Sequence, residues 1–312
     1  MTLDAFSTHG LLDADTIAKI SGFELKVKAV VDGTLSGIHK SPHRGQSVEF
    51  AEHKEYSPGD DVKTLDWKVF ARSDRFFVKE FEAETNLRAY LLMDVSGSMG
   101  FGTGSMTKLE YSSLLAASLS YLLLKQGDAV MLATFSRGIT SHTACRTGGA
   151  HLQSLLSAIA SLKAGGGTSL PDAVAQVFEL ARRRSLVVMI SDMLDSDETW
   201  LDGLAGLKAK GHNLAAIQVL DPAELDFPYN GPRMFEDPEG RTRVTADADA
   251  VREGYLEELD MYLARIGRRC SDLGAEHIVA VTNSPPAGVL LDLLSRAEAG
   301  RGRPGTSHRS VR

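Results

Sequence analysis

A chain of 312 residues with 43% apolar and 24% charged side chains has an ordinary globular composition, with enough length for a sizeable core and roughly two domains. Its formal net charge of -7 argues against a nucleic-acid partner, whose binding rests on neutralising phosphates with Lys and Arg. Two isolated cysteines, Cys145 and Cys270, suit reduced thiols better than a disulfide framework.

The N-terminus, MTLDAFSTHGLLDAD, lacks the basic and apolar regions of a signal peptide, so a cytoplasmic location is expected. Residues 1–85 are polar and turn-rich and read as an irregular N-terminal segment. Residues 86–296 then alternate apolar strands with helical patterns. Ala89 to Met93 reads as a buried strand. A helix is predicted from Lys108 to Lys125, with Thr107 and Glu110 at capping-box spacing and Gly127 placed to end it. Its greasiest part, Leu114 to Leu124, is broken by Ser118 and Ser120 and falls short of the roughly 20 residues needed to span a bilayer, so no transmembrane segment is expected.

Ala129 to Phe135 is the next predicted strand, with a hairpin partner around Ile139 to Cys145. Leu152, Leu155, Leu156 and Ile159 mark a second helix, closed by Gly165. Pro171 opens a third. Leu186 to Ile190 is a continuous apolar run, as in a strand buried on both faces. A helix near Leu201 to Lys210, stopped by Gly211, and a strand from Leu214 to Leu220 repeat the unit. Asp221 to Asp247 reads as a long insertion with a turn at Asp237-Pro238-Glu239-Gly240. A helix from Val251 to Cys270, a strand from His277 to Val281 and a final helix from about Gly288 follow. Residues 297–312, rich in Arg, Gly and Ser, read as a disordered tail. The fold class expected is α/β, with a doubly wound, mostly parallel sheet of Rossmann type.

Ligands of an open α/β sheet collect outside the carboxyl ends of its strands. Asp94, Ser96 and Ser98 follow the first strand, Thr168 lies in the loop GGGTSL, and Asp192 follows SLVVMIS. Each alone could be a turn former or helix cap. Together they offer two carboxylates and three hydroxyls without imidazole or thiolate, a donor set for Mg²⁺, Mn²⁺ or Ca²⁺ rather than zinc.

Asp94-Val95-Ser96-Gly97-Ser98, Thr168 and Asp192 resemble the metal-ion-dependent adhesion site of von Willebrand factor A domains. The resemblance spans roughly Leu87 to Arg296. It implies a Mg²⁺ held by the serine pair and the threonine, with the aspartates acting directly or through water and one position open for a partner's carboxylate. Upstream, HKSPHRGQSVEFAEHKEYSPGDDVKTLDWKVFARSDRFFVKEFEAE, from His39 to Glu84, resembles the signature of domain of unknown function 58. Members of that family carry this segment immediately before a von Willebrand-like domain. The resemblance implies a MoxR-type AAA+ ATPase, or its client protein, as the bacterial partner.

Within the upstream segment, Tyr56-Ser57-Pro58-Gly59-Asp60-Asp61 reads as a tight turn. Gly59, Asp60, Asp61, Asp66, Trp67 and Arg72 are the interaction candidates. Asp66-Trp67 and Ala71-Arg72 could fix this loop by ion pairing and aromatic packing, with Trp67 buried. A catalytic reading of His39, Ser41, His43, Arg44, Asp60 and Asp61 competes with a polar layer that docks the segment onto the sheet. His39 and His43 would share a helix face only without Pro42 between them.

Two classes of function follow. One is a chaperone-like adaptor, without catalysis of its own, that presents a metal to a partner's carboxylate during protein maturation or complex assembly. The alternative is a metal-dependent, phosphatase-like hydrolase. Asp94 resembles the aspartyl nucleophile of haloacid-dehalogenase-like enzymes, but Ser96 replaces their second aspartate. GxSxG and GxxxxGK[ST] motifs do not occur. GFGTGSMTK, Gly100 to Lys108, has the wrong glycine spacing for a phosphate cradle and is expected to form a mobile loop beside the metal. Sequence leaves the oligomeric state open.

Overall fold

The computed structural model describes residues 14–40, 53–55, 77–79, 87–195, 197–240 and 242–301. Its contacts divide the chain into two units, one formed by residues 1–40 with 87–312 and the other by residues 41–86. In the smaller unit, β1 (His53–Glu55) pairs antiparallel with β2 (Phe77–Lys79). Gly59, Asp60, Asp61, Asp66, Trp67 and Arg72 lie outside the described residues.

The larger unit begins with α1 (Ala14–Lys40). Then come β3 (Arg88–Asp94), α2 (Lys108–Lys125), β4 (Ala129–Phe135), β5 (Ile139–His142), α3 (Gly149–Ala160) and α4 (Leu170–Leu180). They are followed by β6 (Leu186–Ser191), α5 (Trp200–Ala209), β7 (Asn213–Leu220), α6 (Pro222–Asp226), β8 (Pro232–Glu236) and β9 (Arg243–Asp247). The last elements are α7 (Ala248–Asp272), β10 (Glu276–Val281) and α8 (Pro286–Arg301).

The central sheet has six strands in the order β10-β7-β6-β3-β4-β5. All neighbours are parallel except β4 and β5. The chain winds outward from β3 in one direction and from β6 in the other, so the strand order reverses between them. Burial on both faces explains the continuous apolar strands. Ala89, Leu91 and Met93 of β3 enter a core shared with α1, α2, α3 and α8. Tyr90 and Leu92 enter a second core shared with α4, α5 and α7.

Thr107 and Glu110 form the expected capping box at the start of α2, and Gly127 adopts φ +87° just past its end. Gly165 does not close α3 as expected, since that helix is capped at Ser161. The insertion expected at 221–247 contains α6 and the β8–β9 hairpin, and the expected turn at Asp237-Pro238-Glu239-Gly240 lies between β8 and β9.

Sequence reasoning missed α1. This 27-residue helix buries Val27, Val31 and Thr34, spaced i, i+4 and i+7, against the helices of the first core. The expected boundary at residue 85 therefore gives α1 to the wrong side, because α1 groups with the α/β unit. Its packing accounts for the composition of α2. Buried residues run all round that helix, Ser112, Ser118 and Ser120 among them, because the sheet lies on one side and α1 contacts the helix on another. A helix apolar on every side is a covered one. Among the described residues, no helix is long and apolar enough to cross a membrane.

Candidate functional site

The reversal of strand order between β3 and β6 opens a crevice at their carboxyl ends, where an α/β sheet binds ligands. Asp94 ends β3, and Asp192 follows β6. Two backbone bonds tie the loop after β3 to the glycine loop before α4. Gly165 N–H donates to the Val95 carbonyl at 2.8 Å, and Gly97 N–H donates to the Gly166 carbonyl at 2.8 Å. Gly166 has φ +84°, a conformation that L side chains rarely adopt. That is a physical reason for glycine at the middle position of the GGG run before Thr168.

Asp94 is fully buried. Its Oδ1 accepts from Ser96 N–H at 2.9 Å, and its Oδ2 accepts from the Ser191 hydroxyl at 2.6 Å. Burial, reinforced by the charge of Asp192 and opposed by these hydrogen bonds, pushes the Asp94 carboxyl up to about 7. Ser96 Oγ and Ser98 Oγ stand 3.1 Å apart. Oxygen ligands at neighbouring corners of a Mg²⁺ octahedron are about 3 Å apart, since each lies about 2.1 Å from the ion. The serine pair therefore fits one edge of such a shell.

Asp192 is held from three sides. Lys108 Nζ lies 2.8 Å from its Oδ2, Leu194 N–H donates to its Oδ1 at 3.4 Å, and Gln218 Nε2 donates to its carbonyl at 2.8 Å. Gln218 in turn meets His277 of β10 at 3.0 Å. The next residue, Met193, has φ +55°, and its carbonyl accepts from Tyr262 Oη. A non-glycine residue in this conformation stores strain, and such strain clusters at ligand sites.

The structure adds three residues that sequence reasoning missed. Lys108 is 1% exposed and bridges Asp192 and Glu224, the latter at 2.7 Å. Burial works against its charge, but the two carboxylates outweigh burial and hold the ammonium above its ordinary value. The available signal was its position. A lysine in the first turn of a helix opposes the macrodipole and needs a local anion. Ser191 immediately precedes Asp192 and reaches back to Asp94. Glu239, from the turn between β8 and β9, sends Oε1 to the Thr168 hydroxyl at 2.6 Å and Oε2 to the Thr168 N–H at 2.7 Å. Ser98 N–H also donates to Oε1 at 3.4 Å.

The five expected residues thus share one neighbourhood. Asp94, Ser96 and Ser98 form one linked group, Thr168 joins them through Glu239, and Asp192 sits beside Lys108. Among the described residues, no three His, Cys, Asp or Glu side chains form a metal cage, so hydroxyls would have to complete any cation shell. The loop from Gly100 to Lys108, expected to be mobile, is tethered. Thr103 N–H donates to Asp221 Oδ2 at 2.9 Å, and Lys108 N–H donates to the Phe101 carbonyl at 2.8 Å.

The protein Rv1480 of Mycobacterium tuberculosis (strain H37Rv), itself uncharacterised, is 30% identical over 267 residues, which span 84% of this chain and 84% of that protein. YeaD of Bacillus subtilis (strain 168), also uncharacterised, is 33% identical over 95 residues, 30% of this chain and 22% of that protein. Among solved structures, the conserved hypothetical protein BatB from Bacteroides thetaiotaomicron is similar with a TM-score of 0.47 and 15% identity, over 68% of this chain and all but 1% of that one (99% covered). The SpRpn10 VWA domain is similar with a TM-score of 0.40 and 14% identity, over 70% of this chain and 100% of that one. The profile described as "Protein of unknown function DUF58" matches residues 52–261, a span that contains Asp94, Lys108, Thr168, Asp192 and Glu239. With two thirds of its length matched and a relative aligned along most of both chains, this protein belongs to the DUF58 family.

Proposed function

We propose that the protein is a metal-dependent, protein-binding adaptor that works with a MoxR-type AAA+ ATPase in protein maturation or complex assembly. The observation that carries this reading is the Ser96–Ser98 hydroxyl pair, spaced as an octahedral edge beside a buried carboxylate at the switch point of the sheet. Ser96, Ser98 and Thr168 would hold Mg²⁺ or Mn²⁺, with Asp94 beside them. Asp192, already paired with Lys108, would act through water. A bound cation supplies a Lewis-acidic position that a partner's carboxylate can enter.

Lys108 has a second role in this scheme. Two carboxylates left bare in a buried crevice would repel one another, and the ammonium offsets part of that charge. The remaining site accepts a cation without collecting excess negative charge. The resemblance of the upstream segment to its family supports the ATPase, or a client of the ATPase, as the partner. The chain would then act without catalysis of its own. Both Asp94 oxygens accept hydrogen bonds and the side chain is buried, an arrangement unsuited to in-line attack on phosphorus.

The test is co-purification of the full chain with the AAA+ ATPase from its own organism, with Mg²⁺ and with EDTA. EDTA and Asp94→Ala should weaken the complex alike. A complex with unchanged affinity under both would remove the cation from the interface. Turnover of generic phosphate esters that needs Mg²⁺ and Asp94 would favour the hydrolase instead.

A further inference from the structure

We propose that Glu239 is a built-in occupant of the docking position, so that the β8–β9 hairpin covers the site until an acidic partner displaces it. The inference rests on the reading of a cation site given above. Its basis is the position of the hairpin tip. Glu239 takes both the hydroxyl and the N–H of Thr168, and its Oε1 also faces Ser98 N–H. These are the serine–threonine loops that would carry the cation, and a carboxylate is the group that a partner would bring to them.

The backbone of the tip is seated as closely as its side chain. A Cβ built on Gly97 would lie 2.4 Å from the Pro238 carbonyl oxygen and 3.2 Å from the Gly166 oxygen. Only glycine at position 97 lets the tip approach this closely. Asp237 shapes the turn by accepting from Glu239 N–H at 2.9 Å, so the Glu239 side chain is presented by a fixed bend.

Aromatic packing holds the strand that leads into the tip, at Phe235 two residues before Asp237. Phe235 stacks on Phe227 with ring centroids 5.6 Å apart, Phe227 lies 4.7 Å from Tyr255, and Arg252 binds the Phe227 and Tyr229 carbonyls. The β8 and β9 side chains are mostly exposed. Displacement of Glu239 would therefore move only the short turn beyond Phe235, while Phe235 keeps the end of β8 in place. A partner must supply a carboxylate of its own and replace the contacts that Glu239 gives up. This raises the specificity of docking, because a weakly acidic surface cannot compete with a tethered carboxylate.

Mn²⁺ and acetate can serve as probes of the full chain. Glu239→Ala opens the position, Glu239→Gln removes the charge but keeps an oxygen for the Thr168 N–H, and Asp94→Ala removes the expected cation site. Water-proton relaxation reports the waters left on bound Mn²⁺, and broadening of the acetate methyl signal reports a carboxylate reaching the ion. The Glu239→Ala protein should bind Mn²⁺ several-fold more weakly than the parent, relax water more per bound ion and broaden acetate several-fold more. Glu239→Gln should also bind Mn²⁺ more weakly, with an unchanged melting temperature. Equal relaxation and equal acetate broadening in the parent and Glu239→Ala would overturn the proposal. Loss of Mn²⁺ from Asp94→Ala in that case would leave the cation reading intact. A parent that takes up no Mn²⁺ would overturn both.

Discussion

Replacing Lys108 by Met tests the electrostatics of the crevice. The change keeps an unbranched stem and removes the ammonium. Asp192 Oδ2 and Glu224 Oε1, 2.8 and 2.7 Å from Nζ, then lose their counter-charge around a side chain that is 1% exposed. Removing one partner of a buried pair costs about 3–5 kcal/mol. The lower end applies here. Burial already holds the Glu224 carboxyl above its ordinary value, and its side chain is 15% exposed, so it can take up a proton. Asp192 is left as the main uncompensated charge. A loss of about 3 kcal/mol corresponds to a fall in melting temperature of about 6–12 °C for a domain of about 200 residues. Urea and thermal unfolding followed by circular dichroism at pH 7 in EDTA will measure it. Freed of the neighbouring ammonium, the variant should also bind Mg²⁺ more tightly than the parent. It should therefore gain more stability from a given Mg²⁺ concentration, up to about 2.7 kcal/mol at 100 times its Kd. An unchanged midpoint in EDTA would refute the view that Lys108 neutralises this site, and equal gains from Mg²⁺ would show that it does not sense a cation.

Three further outcomes are expected. Thr107→Ala removes the cap of α2 and should cost about 1 kcal/mol in urea denaturation, and a larger loss would mean that the cap also orders the Gly100 to Lys108 loop. Val27→Ala with Val31→Ala removes four buried methyl groups from α1 and should cost about 3 kcal/mol, whereas an unchanged midpoint would show that α1 does not pack on the α/β unit. Gly97→Ala places a Cβ against the Pro238 carbonyl and should expose the 232–247 hairpin to limited proteolysis, and a cleavage pattern identical to the parent's would contradict the tight seat of its tip.

The central strands and α2 were legible because their signals are local and agree. The middles of β3 and β6 are apolar without interruption and β7 is broken only by the buried Gln218, since both faces are covered, and Thr107 with Glu110 marks the start of α2. α1 was hidden because its buried face is narrow. Val27 and Val31 alternate with charged neighbours such as Glu24, Lys28 and Asp32, and Leu25 is 68% exposed. The sign of its presence lay elsewhere, in an α2 too apolar to have a wet side. The β8 and β9 strands gave no alternating pattern because they rest on no core along most of their length. The same distinction runs through the site. Asp94, Ser96, Ser98, Thr168 and Asp192 could be read from motif order at strand ends. Glu239 could not, because a Glu inside Asp-Pro-Glu-Gly looks like part of a turn, and its contact with Thr168 closes a gap of 71 residues. Lys108 and Ser191 were missed for a related reason, since each acts on a carboxylate from another strand end.

Calorimetric titration of Mg²⁺ into the EDTA-stripped full chain and its Asp94→Ala variant decides whether a cation binds beside β3. One binding event is expected in the parent and none in the variant, with the variant still folded by circular dichroism. Equal heats and equal affinity in both proteins would contradict a cation site at the carboxyl end of β3.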